Sequence, residues 1–446
     1  MSEPGVADRW LGKVVQVRPG EGRALLWSFL YFFFLLGGYY VLRPLRDEMG
    51  VIGGTRTLPW MFTATFITML AVVPLFGAVV AWLPRRRFIP LVYNFFVANI
   101  AIFWALLTFK IQEQYVARAF FVWITAFSVF TVSVFWSFMA DLYRSEQSKR
   151  LYGFIAAGGS LGGLLGPTVT VWLAKPLGTV NLLIVAALLL EGAVLCAHML
   201  EKAAATPAFA KSEEEIAAKA AADADRKMGG NWLAGLALLF RSPYLGGIAL
   251  WVFLLSLAGT FVYLMQAEIV AGVSGDSAER TRIFASIDLA TGLLTILFQL
   301  FATGRLITRF GVGIAAAVTP FVFGVGYALL AAMPALAIVI GLQALQRTAN
   351  FAISNPAREA LFTVVSREEK YKAKNVIDGV VFRGADAANA WVFHALQTVA
   401  GLTVTGIALV ALPIVAGWAL LAMALGREQD RRTARQSPPV VSPEGA

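Results

Sequence analysis

Twelve long apolar runs, separated by short polar stretches, dominate the pattern along the chain. Each run holds about 20 residues, which is the length that a helix needs to cross the hydrocarbon core of a bilayer. The runs are continuous rather than alternating, so they predict helices and exclude a β-barrel. We number the predicted spans 1 to 12, and they lie at 24–49, 58–82, 88–108, 117–140, 151–173, 180–200, 244–270, 283–304, 312–331, 334–362, 375–399 and 402–425.

Composition narrows the class of protein further. Of the 446 residues, 58% are hydrophobic and only 14% are charged. A soluble domain carries about a quarter charged residues, so a soluble enzyme, a disordered protein and a disulfide-rich secreted domain are excluded. The single cysteine, Cys196, permits no intrachain disulfide. The polar residues before span 1 lack the pattern of a signal peptide.

The basic residues predict the orientation in the membrane. The net charge is +10, and 26 of the 37 Lys and Arg residues lie in the N-terminal segment, the loops after even-numbered spans and the C-terminal tail. Only eight lie in the opposite loops. By the positive-inside rule we expect both termini of this integral membrane protein, which lipid surrounds, to lie in the cytoplasm. The basic loops are short and flank spans, so no nucleic-acid partner is expected.

The chain contains a weak internal repeat. A shift of 222 residues aligns Gly37 with Gly259, Arg87 with Arg309, and Gly162 with Gly384. Because six spans is an even number, the two halves have the same orientation, as in transporters of the major facilitator superfamily. We therefore predict an all-α polytopic membrane protein with two six-helix bundles, at 1–200 and 242–426, and a pathway between them. A cytoplasmic linker at 201–241 joins the bundles, and a cytoplasmic tail follows at 427–446.

Span 10 carries the clearest polar pattern. Its polar residues recur at spacings of 4, 3, 4 and 4, which places them on one face of a helix. They are Gln343, Arg347, Asn350, Ser354 and Arg358. We interpret this face as the lining of an aqueous pathway that contacts the substrate. The alternative is that Arg347 pairs with an acid and only joins helices.

The late part of span 1 is a second candidate for substrate contact. Tyr39, Arg43 and Arg46 share one face there. The alternative is a solvated cap in which Arg46 pairs with Asp47. The acid Glu268 occupies the corresponding region of span 7, so the cations belong to one half only. Asp47 and Glu268 are candidates for coupling or gating.

Spans 8 and 11 add further charged residues. Asp288 has no cation close to it in the sequence, so it is a candidate proton or cation site unless another helix supplies a partner. On span 11, Arg383 and Asp386 are three residues apart and form either a local pair or a substrate and gating site. Asp378 precedes them as a third candidate for coupling or gating.

Span 5 carries glycines rather than charges. Gly158, Gly162 and Gly166 repeat at a spacing of four, which favours close packing of two helices. A phosphate-binding loop is excluded, because no Lys-Ser/Thr pair follows and no strand precedes.

The charged set points to the substrate class. The candidate cations within and at the ends of the spans are all arginines, whose guanidinium groups bind phosphate or carboxylate through two bonds. We therefore expect an organic anion as substrate. Two distant histidines and one cysteine predict no metal site, and no cofactor and no catalytic constellation are expected. A monomer is expected to be the functional unit.

The segment 369–386, which reads EKYKAKNVIDGVVFRGAD, resembles the corresponding loop and helix of the ATP/ADP antiporter family. The segments 147–153 and 43–47 are similar as well. The resemblance implies a twelve-helix major facilitator fold and exchange of nucleotides or related phosphorylated compounds, with Arg383 and Asp386 as membrane residues of the motif. The chain departs from the family late in span 1, where Arg-Pro-Leu-Arg-Asp replaces the usual Lys-Asp pair. The resemblance is therefore a better guide to the fold of this chain than to its substrate.

Three functions follow from these patterns. The first is a secondary transporter of an organic anion, such as a nucleotide, that works by alternating access. The second is a proton-coupled major facilitator transporter of another solute, such as a drug, a siderophore, or a lipid or peptide precursor. The third is a membrane receptor or scaffold, which does not explain the arginines inside the spans.

Overall fold

The computed structural model describes residues 16–82, 85–205, 209, 232–301 and 303–436, and these ranges are largely helical. The helices of the first half are Gly22–Ile52, Leu58–Trp82, Arg85–Thr108, Glu113–Leu142, Ser145–Leu177 and Leu182–Ala204. The second half contains Trp232–Arg241, Pro243–Val273, Ser277–Phe301, Thr303–Ala332, Leu336–Ala349, Asn355–Leu361, Arg367–Val376, Phe382–Thr398 and Val404–Gln436. Within the described ranges, ten helices are long and apolar enough to cross a membrane.

The predicted all-α fold is confirmed. Every predicted span coincides with helical backbone, and several helices extend beyond the apolar run that predicted them, as the last one does to Gln436. Hydrophobicity marks the part of a helix inside the hydrocarbon, whereas hydrogen bonding continues into the polar interface. Span 10 is interrupted by a π-helical turn at Asn350–Ser354, and span 11 by another at Ile377–Val381.

The described residues group into two compact units. The first holds those of Met1–Lys227 together with Val270–Gly292, and the second holds those of Met228–Ile269 and Leu293–Ala446. The start of span 8 therefore groups with the first half. The predicted linker at 201–241 lies mostly outside the described residues, as does the end of the predicted tail, at 437–446. The predicted domain boundaries stay predictions.

Spans 1 and 5 pack closely in the first unit. A Cβ atom added at Gly166 would lie 2.6 Å from the carbonyl oxygen of Gly37, and one added at Gly162 would overlap the carbonyl oxygen of Phe33. Only a residue without a side chain allows the two backbones to approach so closely. The glycine spacing of span 5 is thus explained by packing between helices, without a ligand.

Buried tyrosines connect several helices of the first unit. The Tyr31 hydroxyl donates to the Tyr93 hydroxyl at 2.7 Å, and Tyr93 donates to the Thr131 carbonyl at 3.1 Å. Ser28 and Tyr143 share a further hydrogen bond at 2.8 Å. Spans 1, 3 and 4 are therefore held together by satisfied polar groups as well as by apolar contact, which avoids the cost of an unpaired hydroxyl in an apolar interior.

Residues of the segment 147–153, which resembles the antiporter family, hold the N-terminal end of span 1 in place. The Glu21 carboxylate accepts hydrogen bonds from Arg150 at 3.0 Å, from the Gln147 side chain at 2.9 Å and from the Arg18 backbone at 2.9 Å. Burial raises the pKa of Glu21, but the hydrogen bonds from these groups and the Arg150 charge outweigh it, so the pKa lies below its ordinary value.

In the second unit, large aromatic side chains fill the space between helices. Trp251 and Trp418 are both fully buried, with ring centroids 5.9 Å apart, and Phe323 packs against Trp418. Other large apolar side chains, such as Phe321 and Leu420, are exposed on the outside of this unit. Exposed apolar side chains of this size suit a surface that lipid covers.

Candidate functional site

Arg43, on the predicted substrate face of span 1, lies beside Asp288 of span 8 within the first unit. The Arg43 Nε and Asp288 Oδ2 atoms are 3.7 Å apart, and the Asp288 carboxylate is almost fully buried. The guanidinium also lies over the Tyr40 ring at 5.7 Å. Of the two alternatives for Asp288, the structure shows the one in which another helix supplies a cation. The pair is electrostatic, because 3.7 Å exceeds an ordinary hydrogen bond.

A second pair joins the same two helices more tightly. Arg280 donates from Nε to Glu48 Oε2 at 2.9 Å and from Nη2 to Oε1 at 2.5 Å, while Nη1 donates to the Ser274 carbonyl at 2.7 Å. The Glu48 side chain is fully buried and that of Arg280 nearly so. Such a two-bonded arginine–carboxylate pair is strong and geometrically specific. The sequence patterns missed it, because each residue alone reads as part of a polar helix end.

The end of span 5 extends this cluster. Lys175 pairs with Glu279 at 2.7 Å, and the Thr179 hydroxyl lies 3.1 Å from the Thr281 hydroxyl and 3.0 Å from Ser277. Together with the two arginine pairs, these contacts attach the start of span 8 to spans 1 and 5. We call the pairs Arg43–Asp288, Glu48–Arg280 and Lys175–Glu279 the span 8 clasp.

The remaining candidates of span 1 lie close to aromatic rings. The Arg46 guanidinium lies over the Phe121 ring at 4.6 Å, and its Nε atom is 3.7 Å from Asp47 Oδ1. Tyr39 is half-buried against Tyr40 and Phe127. The predicted pairing of Arg46 with Asp47 is thus present, and the ring of Phe121 adds a cation–π contact.

In the second unit, a π-helical turn divides the polar stripe of span 10. The turn covers Asn350–Ser354, and it rotates the residues that follow relative to those before it. Gln343 is buried and accepts a hydrogen bond from Gln346 at 2.8 Å, whereas Arg347 and Asn350 are half-buried. The Ser354 hydroxyl hydrogen-bonds to Thr319 of the preceding helix at 2.5 Å. A π-helical turn contains one residue more than an α-helical turn, and the spacing of the polar residues did not indicate it.

The C-terminal end of span 10 forms ion pairs with residues at the start of span 11. Arg358 lies 3.1 Å from Asp378, and Lys374 donates to Glu359 at 2.5 Å. Lys374 and Asp378 both belong to the segment that resembles the antiporter family. Asp378 lies in the second π-helical turn, at Ile377–Val381. Turns of this kind recur at functional sites because they redirect side chains within a helix.

Arg383 and Asp386 follow that turn and form the predicted local pair, but loosely. Arg383 Nη1 and Asp386 Oδ2 are 3.8 Å apart, and about a third of the Arg383 side chain is exposed. Asp386 Oδ1 instead accepts a hydrogen bond from Ser256 of span 7 at 2.7 Å. The Asn389 side chain donates to Ser256 at 3.3 Å. Ser256 was not among the predicted site residues, since a lone serine in a span is unremarkable.

Glu268, the candidate of span 7, has a partner on span 11. The Gln397 side chain donates to Glu268 Oε1 at 2.5 Å within the second unit. Thus all five predicted coupling acids have a polar or charged neighbour: Asp47, Glu268, Asp288, Asp378 and Asp386.

The fold is that of a major facilitator transporter, as comparison with solved structures shows. A bacterial homologue of the iron transporter ferroportin superposes with a TM-score of 0.64 at 12% identity, over 91% of this chain and 98% of the other. The nucleoside transporter NupG gives 0.57 at 14% identity, over 90% and 98% of the two chains. Identities this low show the fold alone.

The chain belongs to the TLC ATP/ADP transporter family, whose profile matches residues 118–429. ADP,ATP carrier protein 2 of Chlamydia trachomatis is 22% identical, over 91% of this chain and 88% of the relative. ADP,ATP carrier protein 1 of Chlamydia pneumoniae is 24% identical over 67% of this chain, and the match spans 64% of that relative's length. The predicted resemblance to this family is confirmed, and the family is one of transporters rather than enzymes.

Proposed function

We propose that the chain is a secondary transporter that exchanges a nucleotide or another phosphorylated anion across a bacterial inner membrane by alternating access. Membership of the ATP/ADP transporter family carries this proposal. The charged residues support it, because arginines, not lysines, occupy the candidate positions of spans 1, 10 and 11. Guanidinium groups bind phosphate oxygens through two parallel bonds, which a lysine cannot do.

The strengths of the ion pairs suggest which arginines meet the substrate. Arg43 and Arg383 each lie more than 3.5 Å from their acids, whereas Arg280 makes two short hydrogen bonds to Glu48. A loosely held arginine exchanges its carboxylate for a phosphate at little cost, while a tightly bonded and buried one does not. We therefore assign substrate contact to Arg43 and Arg383, with Arg347 as a third candidate, and a structural role to Arg280.

Counterflow in vesicles tests the exchange. The purified chain is reconstituted in liposomes that contain unlabelled ADP, and uptake of labelled ATP is compared with that of empty liposomes. Exchange predicts uptake at least several-fold faster into loaded vesicles, and loss of that uptake in Arg383→Gln. Arg56→Gln, at an exposed position near the end of span 1, is the matched control and should transport normally.

Two outcomes would redirect the proposal. Uptake of ATP that is equal in loaded and empty vesicles, but that depends on a pH gradient, would favour the proton-coupled alternative. No uptake from a panel of nucleotides, sugar phosphates and other phosphorylated anions would overturn the substrate class. The same vesicles, prepared at low protein-to-lipid ratio, test whether a monomer is sufficient, because activity per chain then stays constant on dilution.

The orientation has its own test. We propose that both termini lie in the cytoplasm, as the distribution of basic residues predicts. Cys196 is the single cysteine, so Cys196→Ala provides a cysteine-free background. A membrane-impermeant maleimide should label intact cells that carry Lys110→Cys, in the turn after span 3, but not those that carry Ser437→Cys. The opposite pattern would reverse the topology.

A further inference from the structure

A short apolar helix, Trp232–Arg241, precedes span 7 in the second unit. Its sequence is WLAGLALLFR, in which Arg241 is the single charged residue. The 10 residues of this helix rise about 15 Å, whereas a helix needs about 20 residues to cross the hydrocarbon core. The helix is therefore too short to span a membrane, although it is almost entirely apolar.

The short helix is not the first part of span 7. Ser242 lies between the two helices, where its N–H donates to the Leu238 carbonyl at 3.0 Å. A Cβ atom added at Gly246 would lie 2.8 Å from the carbonyl oxygen of Leu239. In one continuous helix, these two residues would be separated by about 10 Å along the axis. The chain therefore bends sharply at Ser242, and the short helix runs at an angle to the span.

The two sides of the short helix have different surroundings. Leu239 is 8% exposed, and the helix packs against Arg367–Val376, the polar helix that precedes span 11. Ala237, Phe240 and Arg241 are exposed, and their spacings of three and four residues place them on one face. Phe240 is 85% exposed, more than any other aromatic side chain among the described residues. One side of the helix thus contacts protein, and the other presents an apolar surface.

Lipid suits the exposed face for three reasons. Transfer of a phenylalanine side chain such as Phe240 out of water is favourable. The exposed apolar surface continues along the chain into span 7, where Leu250 is 49% exposed like the lipid-facing residues of this unit. The sequence contains no acidic residue between Asp225 and Glu268, so the charge of Arg241 is available to phosphate headgroups. An apolar face beside an exposed basic residue is typical of helices that lie in the membrane interface.

We propose that Trp232–Arg241 is an in-plane interfacial helix whose partner is the bilayer itself. The face that holds Ala237 and Phe240 enters the boundary between headgroups and acyl chains, and Arg241 lies at the level of the headgroups. By the predicted orientation, this is the cytoplasmic leaflet. Helices of this kind bury their apolar face about 5–10 Å into the boundary.

The lipid contact has a consequence for the candidate site. Arg367–Val376, against which the interfacial helix packs, leads directly into the π-helical turn at Ile377–Val381. Its Lys374 also donates to Glu359 at the end of span 10. An interfacial helix beneath this segment therefore fixes the position of the start of span 11 relative to the membrane surface.

Spin labelling in vesicles of phosphatidylethanolamine and phosphatidylglycerol tests the contact. Cys196→Ala supplies the cysteine-free background, and single labels are attached in Phe240→Cys, Phe321→Cys and Arg431→Cys. Phe321 of span 9 is 70% exposed and provides the lipid reference. Arg431 lies beyond the apolar run of the last helix with 73% of its side chain exposed, and provides the water reference. Collision of each label with oxygen, which concentrates in lipid, is compared with collision with water-soluble Ni(II) ethylenediaminediacetate.

The ratio of oxygen to nickel collisions should be several-fold higher at position 240 than at position 431, and closer to that at position 321. A ratio equal to that at position 431 would show that the face lies in water and would overturn the proposal. Infrequent collision with both reagents would overturn it as well, because protein, either the linker or a second copy of the chain, would then cover the face.

A second label position keeps the test decisive if Phe240→Cys does not reconstitute. Ala237→Cys lies on the same face and should give the same high ratio. Adding Phe240→Asp to Ala237→Cys should lower that ratio, because a carboxylate is expelled from the boundary, whereas adding Arg431→Asp should not. An unchanged ratio in the Phe240→Asp protein would contradict the assignment of Phe240 to lipid. These measurements do not require transport, so their outcome is independent of the proposed function.

Discussion

Glu48 and Arg280 are 232 residues apart in sequence, yet they form a buried ion pair with two short hydrogen bonds between spans 1 and 8. The pair differs from its neighbour Arg43–Asp288, whose Nε and Oδ2 atoms are 3.7 Å apart, a distance at which the two charges attract each other without a hydrogen bond. Within the span 8 clasp, the Glu48–Arg280 pair is thus tightly bonded and the Arg43–Asp288 pair is loosely held. This difference gives separate predictions for stability and for transport.

Removing one partner of the tight pair should destabilise the first unit strongly. Arg280→Met leaves the Glu48 carboxylate buried without its cation, which costs about 3–5 kcal/mol in comparable pairs. The midpoint of thermal unfolding in detergent should fall accordingly. The double variant Glu48→Leu/Arg280→Met should be more stable than either single variant, because no uncompensated charge remains.

The Lys175–Glu279 pair of the span 8 clasp provides the control. Lys175 and Glu279 are both solvent-accessible, at 54% and 26% exposure of their side chains. Lys175→Ala should therefore cost less than about 1 kcal/mol. An Arg280→Met protein as stable as the unmodified chain would show that the pair contributes little, and would leave the apolar contacts of spans 1, 5 and 8 to hold the unit together.

The carboxylate of Glu21 gives a pH dependence whose sign is defined. Its pKa is lowered from the ordinary value of 4.5. A carboxyl with a lowered folded pKa stabilises the folded state fully above the unfolded pKa, and this contribution is lost as pH falls through the folded value. The difference in thermal midpoint between the unmodified chain and Glu21→Gln should be largest at neutral pH and should shrink below about pH 4.5. A difference that grows on acidification would contradict the assignment.

The glycines of span 5 allow a matched comparison on one helix. Gly162→Ala places a Cβ on the carbonyl of Phe33, so the backbones of spans 1 and 5 must separate. We expect a loss of about 1–3 kcal/mol, typical of overpacking, and a lower thermal midpoint. At Gly153 an added Cβ has nothing within 4 Å. Gly153→Ala should therefore be neutral or slightly stabilising, since alanine favours the helix by about 1 kcal/mol.

The helices and the close approach at span 5 could be predicted because both depend on local composition. An apolar run of sufficient length must be helical in a bilayer, and glycines spaced by four can only reduce the distance between helices. The partner of a charged residue depends on packing. Nothing near Glu48 in the sequence indicates Arg280, and nothing near Asp386 indicates Ser256.

Span 10 shows a different reason why the sequence predicted the candidate site only in part. The spacing of Arg347 and Ser354 assumes 3.6 residues per turn. The π-helical turn at Asn350–Ser354 adds a residue to one turn, and Ser354 is then bonded to Thr319. A single π-helical turn has no characteristic amino-acid composition, so the sequence does not reveal it. The periodicity of the polar residues therefore placed them on the correct helix but did not determine which of them share a face.

The loose pair of the clasp yields the prediction that separates exchange from proton coupling. Asp288→Asn removes the charge that balances Arg43, 3.7 Å away, and keeps the shape of the side chain. If Arg43 binds the phosphorylated anion, its affinity for that anion should rise, and release should slow because the Asp288 carboxylate no longer competes for the guanidinium. Counterflow should then show a KM and a maximal rate that both fall, each about threefold or more. Glu191→Gln, at an exposed acid of span 6, should change neither. Uptake that is lost in Asp288→Asn only when a pH gradient drives it, with counterflow unchanged, would instead make Asp288 a proton site.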